Sequence, residues 1–266
     1  MQEQFWKKAV SSLPMKNLFA LIALCLSSTA VSAGDLYVAA AADLVYCLED
    51  INAAFSKANP GTNVVVSTGS SGRFYSQVQN GAPFEVYLSA DMTYPRKLAE
   101  EGFADKKTLF QYAVGRVVLW TINPGMDVSR GMQILTDPAV KHVSLANPEH
   151  APYGVAGRAA MQKAGVYDAV APKLVTAENV SQAAQHVLAG SVEVGIVALS
   201  LVKSPALEGK GQYWTIPSDQ HGIIEQGGVV TKKGTSNPMA GRYLAFLGTP
   251  AVRAIFDRHG FLLPVK

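Results

Sequence analysis

Four short turns built from Gly, Ala, Ser, Pro and Asn stand where an apolar run hands over to an amphipathic one. They are AAAAD at Ala39 to Asp43, GSSG at Gly69 to Gly72, APYG at Ala151 to Gly154, and the pair Asn179-Val180. The first N–H groups of a helix have no intrahelical acceptor, and small residues there leave them uncovered at the positive end of the helix dipole. Hydroxyls sit in two of the turns, at Ser70, Ser71 and Tyr153. Neutral donors of this kind hold a small anion without a metal or a cluster of cations. The chemistry read from these residues is oxyanion binding, with no cofactor and no metal ion as part of the protein.

Catalytic spacings are missing. GSSG lacks the G-x-S-x-G elbow of a serine hydrolase, the five histidines at 142, 150, 186, 221 and 259 show no H-E-x-x-H spacing, and there is no G-x-x-x-x-G-K-[ST] loop. The chain therefore reads as a non-enzyme. The rival of another class is a secreted hydrolase that uses Ser71.

The elements that must position these turns alternate. Short apolar runs at 36–40, 63–66, 85–88, 116–120, 142–145, 192–198 and 227–230 suit buried parallel strands. Between them lie helical patterns, the clearest from Leu44, with Cys47, Leu48, Ile51, Phe55 and Ala58 on one stripe, Asp43 as its expected N-cap and Asn59-Pro60-Gly61 as its stop. Further helices are expected over 73–80, 93–101, 155–164, 180–188, 238–247 and 250–259. This βα alternation predicts an α/β protein with mostly parallel sheets covered by helices, and ligands bound beyond the carboxyl ends of the strands. All four turns fall at such ends.

The first 33 residues read as a leader. Lys7, Lys8 and Lys16 precede an apolar core over 18–26, and Val31-Ser32-Ala33 offers the small residues of a cleavage site, so residues 1–33 are expected to leave as a signal peptide. The alternative is a lipid anchor on Cys25, disfavoured by the bulky Leu24 before it. The apolar core is shorter than the roughly 20 residues of a membrane span. Loss of the leader leaves about 230 residues, enough for a large core or two lobes, and leaves Cys47 alone, so no internal disulfide forms. It also lowers the formal charge from +3 to about +1, which argues against a nucleic-acid partner. The expected mature product is a soluble, exported monomer.

Longer stretches carry a resemblance. AAAADLVYCLEDINAAF from Ala39, STGSSGRFYSQVQNGAPFEVYLSAD from Ser67, GRVVLW from Gly115, NPEHAPYGVAG from Asn147 and ENVSQA from Glu178 resemble, in order and spacing, the periplasmic molybdate-binding proteins of ABC transporters. The resemblance implies a two-lobed periplasmic binding protein fold with two hinge crossings. Lobe one would comprise 34–115 plus 228–266, and lobe two 116–227. It implies molybdate, and tungstate with it, held in the cleft between the lobes and delivered to a membrane permease. Sulfate, phosphate and chromate remain rival ligands of the same class, since charge and geometry are alike and only the cavity discriminates.

By the same resemblance Ser71 donates its hydroxyl and N–H to the anion, with Ser70 beside it as a helper. The competing reading makes Ser71 an ordinary N-cap for a helix starting at Arg73. Tyr153 and Val180 match positions that offer backbone N–H groups, with the Tyr153 phenol as an added donor. Otherwise they are a packed aromatic and a core residue. Asp43 departs from the neutral donor found in relatives, and a carboxylate facing a dianion at 4 Å would be repelled by about 4 kcal/mol per pair of unit charges. Either its side chain caps its own helix and leaves the Ala42 and Asp43 amides to the ligand, or a cation pairs with it. The expectation is an Asp43–Arg73 ion pair that also leaves a guanidinium near the anion; the alternative is a solvated Arg73. Ala198 stands where some relatives carry a ligand-touching tyrosine, a loss that Tyr153 would make good.

Overall fold

The computed structural model describes residues 34–264; the expected leader and Cys25 lie outside the described residues. From the amino end, the first elements are β1 (Asp35–Ala41), α1 (Val45–Ala58), β2 (Asn63–Gly69), α2 (Ser71–Gln79), β3 (Val86–Ser89), α3 (Thr93–Glu100) and β4 (Phe110–Gly115). Next come β5 (Val117–Thr121), β6 (Val143–Ala146), α4 (Pro152–Lys163), α5 (Tyr167–Val170), β7 (Leu174–Ala177), α6 (Val180–Leu188), β8 (Val194–Ala198), α7 (Leu199–Val202) and β9 (Gln212–Thr215). The chain ends with β10 (Ile224–Val230), α8 (Pro238–Phe246) and α9 (Pro250–Arg258).

These strands make two five-stranded sheets, ordered β2-β1-β3-β10-β4 and β7-β6-β8-β5-β9. Each belongs to one lobe. The chain passes from the first sheet to the second with only Arg116 between β4 and β5, and returns between Thr215 and Ile224. Gly228, taken from the sequence as the point of return, lies inside β10, four residues after that strand begins.

The sheets are mixed: beside the parallel pairs expected from the βα alternation, each also holds antiparallel ones. β1 runs parallel to β2 and β3, and β6 parallel to β7 and β8, but β10 is antiparallel to β3 and β4, and β5 antiparallel to β8 and β9. The cause is the double crossing. A strand that enters a lobe from the hinge starts where its neighbours end, and so must run the other way. The strands the sequence did not predict, β4, β7 and β9, carry partly exposed or polar positions that dilute an apolar run.

Helices shield both faces of each sheet. Cys47, Leu48, Ile51 and Phe55 of α1 are buried with Tyr243 and Phe256 in one core of the first lobe, while Phe74, Val78 and Leu98 cover its other face. The core of the second lobe centres on Trp120, Leu145, Ile196 and Val197 and reaches Ala41, Ala42 and Ala90 of the first. The lobes are therefore in contact along the cleft.

At the end of β1 the expected Asp43 N-cap does not form. A single 3-10 turn, Ala42–Leu44, separates the strand from α1, which begins at Val45 without a side-chain cap. This turn lets Asp43 point into the protein rather than along its own helix. Among the described residues no helix is long and apolar enough to cross a membrane, and no group of three or more His, Cys, Asp or Glu could hold a metal ion.

Candidate functional site

The four turns meet. Ala42, Asp43, Ser70, Ser71, Tyr153 and Val180, all singled out from the sequence, line one small chamber, together with Ala41, Gly69, Ala90, Ala151, Pro152 and Asn179. Two turns come from each lobe, so the chamber lies between them. A larger cavity of about 470 Å³ lies at the hinge, lined by such residues as Val114, Ile216, Ile224 and Leu262. It contains none of the expected residues and no α-helix start, so its size does not outweigh the chemistry of the smaller chamber.

Three helices begin at the chamber. Ser71 and Val180 are the first residues of α2 and α6, and Tyr153 the second of α4. Among the described residues their amides have no protein acceptor. Proline at the start of α4 supplies the fixed φ of a helix start without wasting a donor, and the Asn179 side chain caps α6 by accepting from Gln182 N at 3.0 Å. At the GSSG turn, α2 starts at Ser71 rather than Arg73, so the capping position belongs to Ser70.

Ser71 is placed as an oriented donor. Its Oγ accepts the Ala90 N–H at 3.0 Å, and its carbonyl accepts the Tyr87 hydroxyl at 2.8 Å. With one lone pair of Oγ taken by an amide, the hydroxyl proton is left to be given to another group. A hydroxyl, three helix-start amides and no cation suit a small anion that accepts on every side.

Ser70 is used differently. Its hydroxyl donates to the His150 carbonyl at 2.5 Å and lies 2.6 Å from His150 Nδ1, so a proton on Nδ1 completes the pair. The Gly72 N–H donates to the same carbonyl at 2.8 Å. The helper hydroxyl expected of Ser70 is thus committed across the cleft to the second lobe. Gly72 makes this approach possible, since a Cβ there would lie 2.9 Å from His150 Cα.

The Asp43–Arg73 pair expected from the sequence is absent. Arg73 instead forms an ion pair with Glu178, on the far side of the cleft, and His150 Nε2 lies 4.0 Å from the same carboxylate. The reason is geometric. Asp43 is 1% exposed while Arg73 lies on the surface-facing side of α2, so the guanidinium keeps its hydration by pairing at the rim.

Asp43 is held by neutral groups. Its Oδ2 accepts the Tyr153 hydroxyl at 3.0 Å and the Gln226 amide, and Gln226 Nε2 also lies 3.2 Å from the Tyr153 oxygen. Its backbone carbonyl accepts the Ser200 hydroxyl at 2.7 Å. The phenol of Tyr153 therefore serves Asp43, not a ligand, and does not replace the tyrosine missing at Ala198. Burial raises the Asp43 carboxyl to about 6, against which the bonds from Gln226 and Tyr153 pull weakly. Burial and the neighbouring Asp43 push the Tyr153 phenol well above its usual range. Gly115 leaves room for this group, because a Cβ there would run into the Tyr153 hydroxyl and stand 2.8 Å from Gln226 Nε2.

Sequence reasoning missed Gln226, His150, Glu178 and Ser200 as cleft residues. Gln226 had one legible sign, a polar residue at the head of an apolar strand run; the others are ordinary polar residues until the lobes are juxtaposed.

The family described as bacterial extracellular solute-binding protein matches residues 36–262. The chain belongs to that family. Within it, the chain is 41% identical over 231 residues to the molybdate-binding protein ModA of Rhodobacter capsulatus, covering 87% of this chain and 89% of that one. It is 38% identical over 250 residues to ModA of Azotobacter vinelandii, covering 94% and 98%. Among solved structures, the Azotobacter vinelandii periplasmic molybdate-binding protein superposes with a TM-score of 0.82 at 34% identity, over 86% of this chain and all of that one. Such a match over whole lobes places this chain in the two-lobed fold of the family, with the chamber between its halves.

Proposed function

We propose that the protein binds molybdate in the interlobe chamber outside the cytoplasm and hands it to the membrane permease of an ABC transporter. The observation that carries this reading is the convergence of Ser71, Tyr153 and Val180, from three helix starts on two lobes, on one chamber that no cation lines. The names of the two relatives support the choice of ion. Neutral dipoles suit a fully deprotonated tetrahedral dianion, because each donor is satisfied by an oxygen and no acceptor is left facing it. In this reading the anion touches the Ser71 hydroxyl and N–H and the amides of Ala42, Asp43, Tyr153 and Val180, and the family's hinge closes the lobes over it.

Tungstate has the same shape and charge and is bound as well. The protein works without an enzymatic step. Residues 1–33 direct export to the periplasm and are removed, and the mature protein acts as a monomer. Calorimetric titration of the mature protein tests the ligand. Molybdate and tungstate are expected to bind tightly and to raise the melting temperature through linkage, with sulfate and phosphate silent at the same concentration. Preference for sulfate or phosphate in that titration would overturn the assignment.

A further inference from the structure

We propose that Asp43 holds the anion as a neutral carboxylic acid, donating a hydrogen bond from Oδ1, so that each oxyanion captured in the closed cleft brings one proton from solvent with it. The inference rests on the oxyanion reading above and adds to it a chemical role for the one acidic residue that lines the chamber.

The geometry points this way. Among the described residues the two side chains that donate to the Asp43 carboxyl, Tyr153 and Gln226, both reach Oδ2, and both are neutral. Oδ1 is buried and has no hydrogen-bond partner among the described residues. A carboxylate there would present an uncompensated charge to a dianion in a water-poor space, which is unfavourable by several kcal/mol at contact distance. The same oxygen carrying a proton becomes a donor in a ring of donors.

Among the described residues no counter-charge faces Asp43. The groups facing Asp43 are Cys47 from α1, Ser70 and Ser71 from the β2–α2 turn, Tyr112 from β4, Tyr153 from α4, Val180 from α6, Ser200 from α7 and Gln226 from β10. None is cationic. Burial drives the Cys47 thiol and the Tyr112 and Tyr153 phenols further from ionisation, so they stay neutral. Arg73, the nearest candidate by sequence, is committed to Glu178. Burial outweighs the hydrogen bonds that favour the carboxylate and leaves the Asp43 carboxyl at about 6, and a dianion in the chamber moves it further in the same direction.

The proton balance is simple. Above the pKa of Asp43 in the ligand-free protein, the ionised carboxylate takes a proton from water or buffer as the dianion enters, and returns it on release. No bond of the oxyanion is made or broken.

Calorimetry with sodium molybdate on the mature protein between pH 5.5 and 8.5, in two buffers of different ionisation enthalpy, reads this directly. The wild-type Kd is expected to rise with pH, approaching about tenfold per unit at the alkaline end, with net uptake approaching one proton per anion. Asp43→Asn keeps a neutral donor at the site, and its Kd is expected to vary less than about twofold over the same range, with no buffer-dependent heat. Tight binding by the wild type with a flat Kd and no proton uptake would overturn the proposal while leaving the oxyanion reading intact, and needs no variant to fold. An unchanged pH slope in Asp43→Asn would overturn it too. Failure to bind molybdate at any pH would instead overturn the oxyanion reading itself.

Discussion

Arg73 of the first lobe and Glu178 of the second are joined by an ion pair at the mouth of the cleft. Their side chains are 58% and 35% exposed, and exposed pairs contribute about 0 to 1 kcal/mol. Arg73→Ala and Glu178→Gln should each weaken molybdate binding by less than about fivefold, and the double variant should cost no more than either alone. Titrations at low and high salt provide the check, since added salt should erase most of the difference.

Ser71 and Ser70 should part company. The Ser71 hydroxyl is free to donate to an ion, and a hydrogen bond to a charged group is worth about 1.5–3 kcal/mol, so Ser71→Ala should raise the Kd about 10- to 150-fold. Ser70→Ala cuts only a tie to His150 and should cost far less affinity. Titration of both variants side by side decides it.

Val180→Ala separates side chain from backbone. Val180 is buried, so the truncation should lower stability by about 1–3 kcal/mol. The amide at the start of α6 survives, and the Kd should move by less than about twofold. Thermal melting and calorimetry on one preparation give both readings.

Gly115→Ala places a methyl group against Tyr153 and Gln226. Overpacking of this kind costs about 1–3 kcal/mol, and here it also pushes apart groups from opposite lobes. A lower melting temperature and weaker molybdate binding are expected together. Unchanged binding would mean that the Asp43 cluster is not part of the closed state.

Asp43 also makes a prediction for the ligand-free protein. Its carboxyl rises from 3.8 to about 6 on folding, so between those values the folded state binds more protons than the unfolded one. Stability from this group is then complete below pH 3.8 and is lost as pH rises through about 6, a change of about 3 kcal/mol. Urea unfolding from pH 4 to pH 7.5 should show the wild type losing stability relative to Asp43→Asn over that interval.

The turns were legible because their chemistry is local: small residues and a helix start lie within a few positions of one another, with a hydroxyl added in two of the four. The helix from Val180 was legible for the same reason, with its capping Asn179 next to it. The fate of Asp43 was not. Whether it met Arg73 or Tyr153 depended on two lobes closing, and its partners Tyr153 and Gln226 lie 110 and 183 positions away. Strand direction was hidden in the same manner, because an apolar run reads alike in either sense. Gln226 shows the limit well: a buried amide inside a strand can be noticed in the sequence, but its acceptor cannot be named.

The placement of β10 between β3 and β4 has a consequence for how the polypeptide matures. The second sheet is assembled from one continuous stretch, β5 to β9, whereas the first waits for a strand that begins at Ile224. During synthesis from the amino end, the first sheet cannot be completed until β10 has emerged, whereas every strand of the second is already present by Thr215. Truncation before Ile224 would leave β3 and β4 without the strand that joins them.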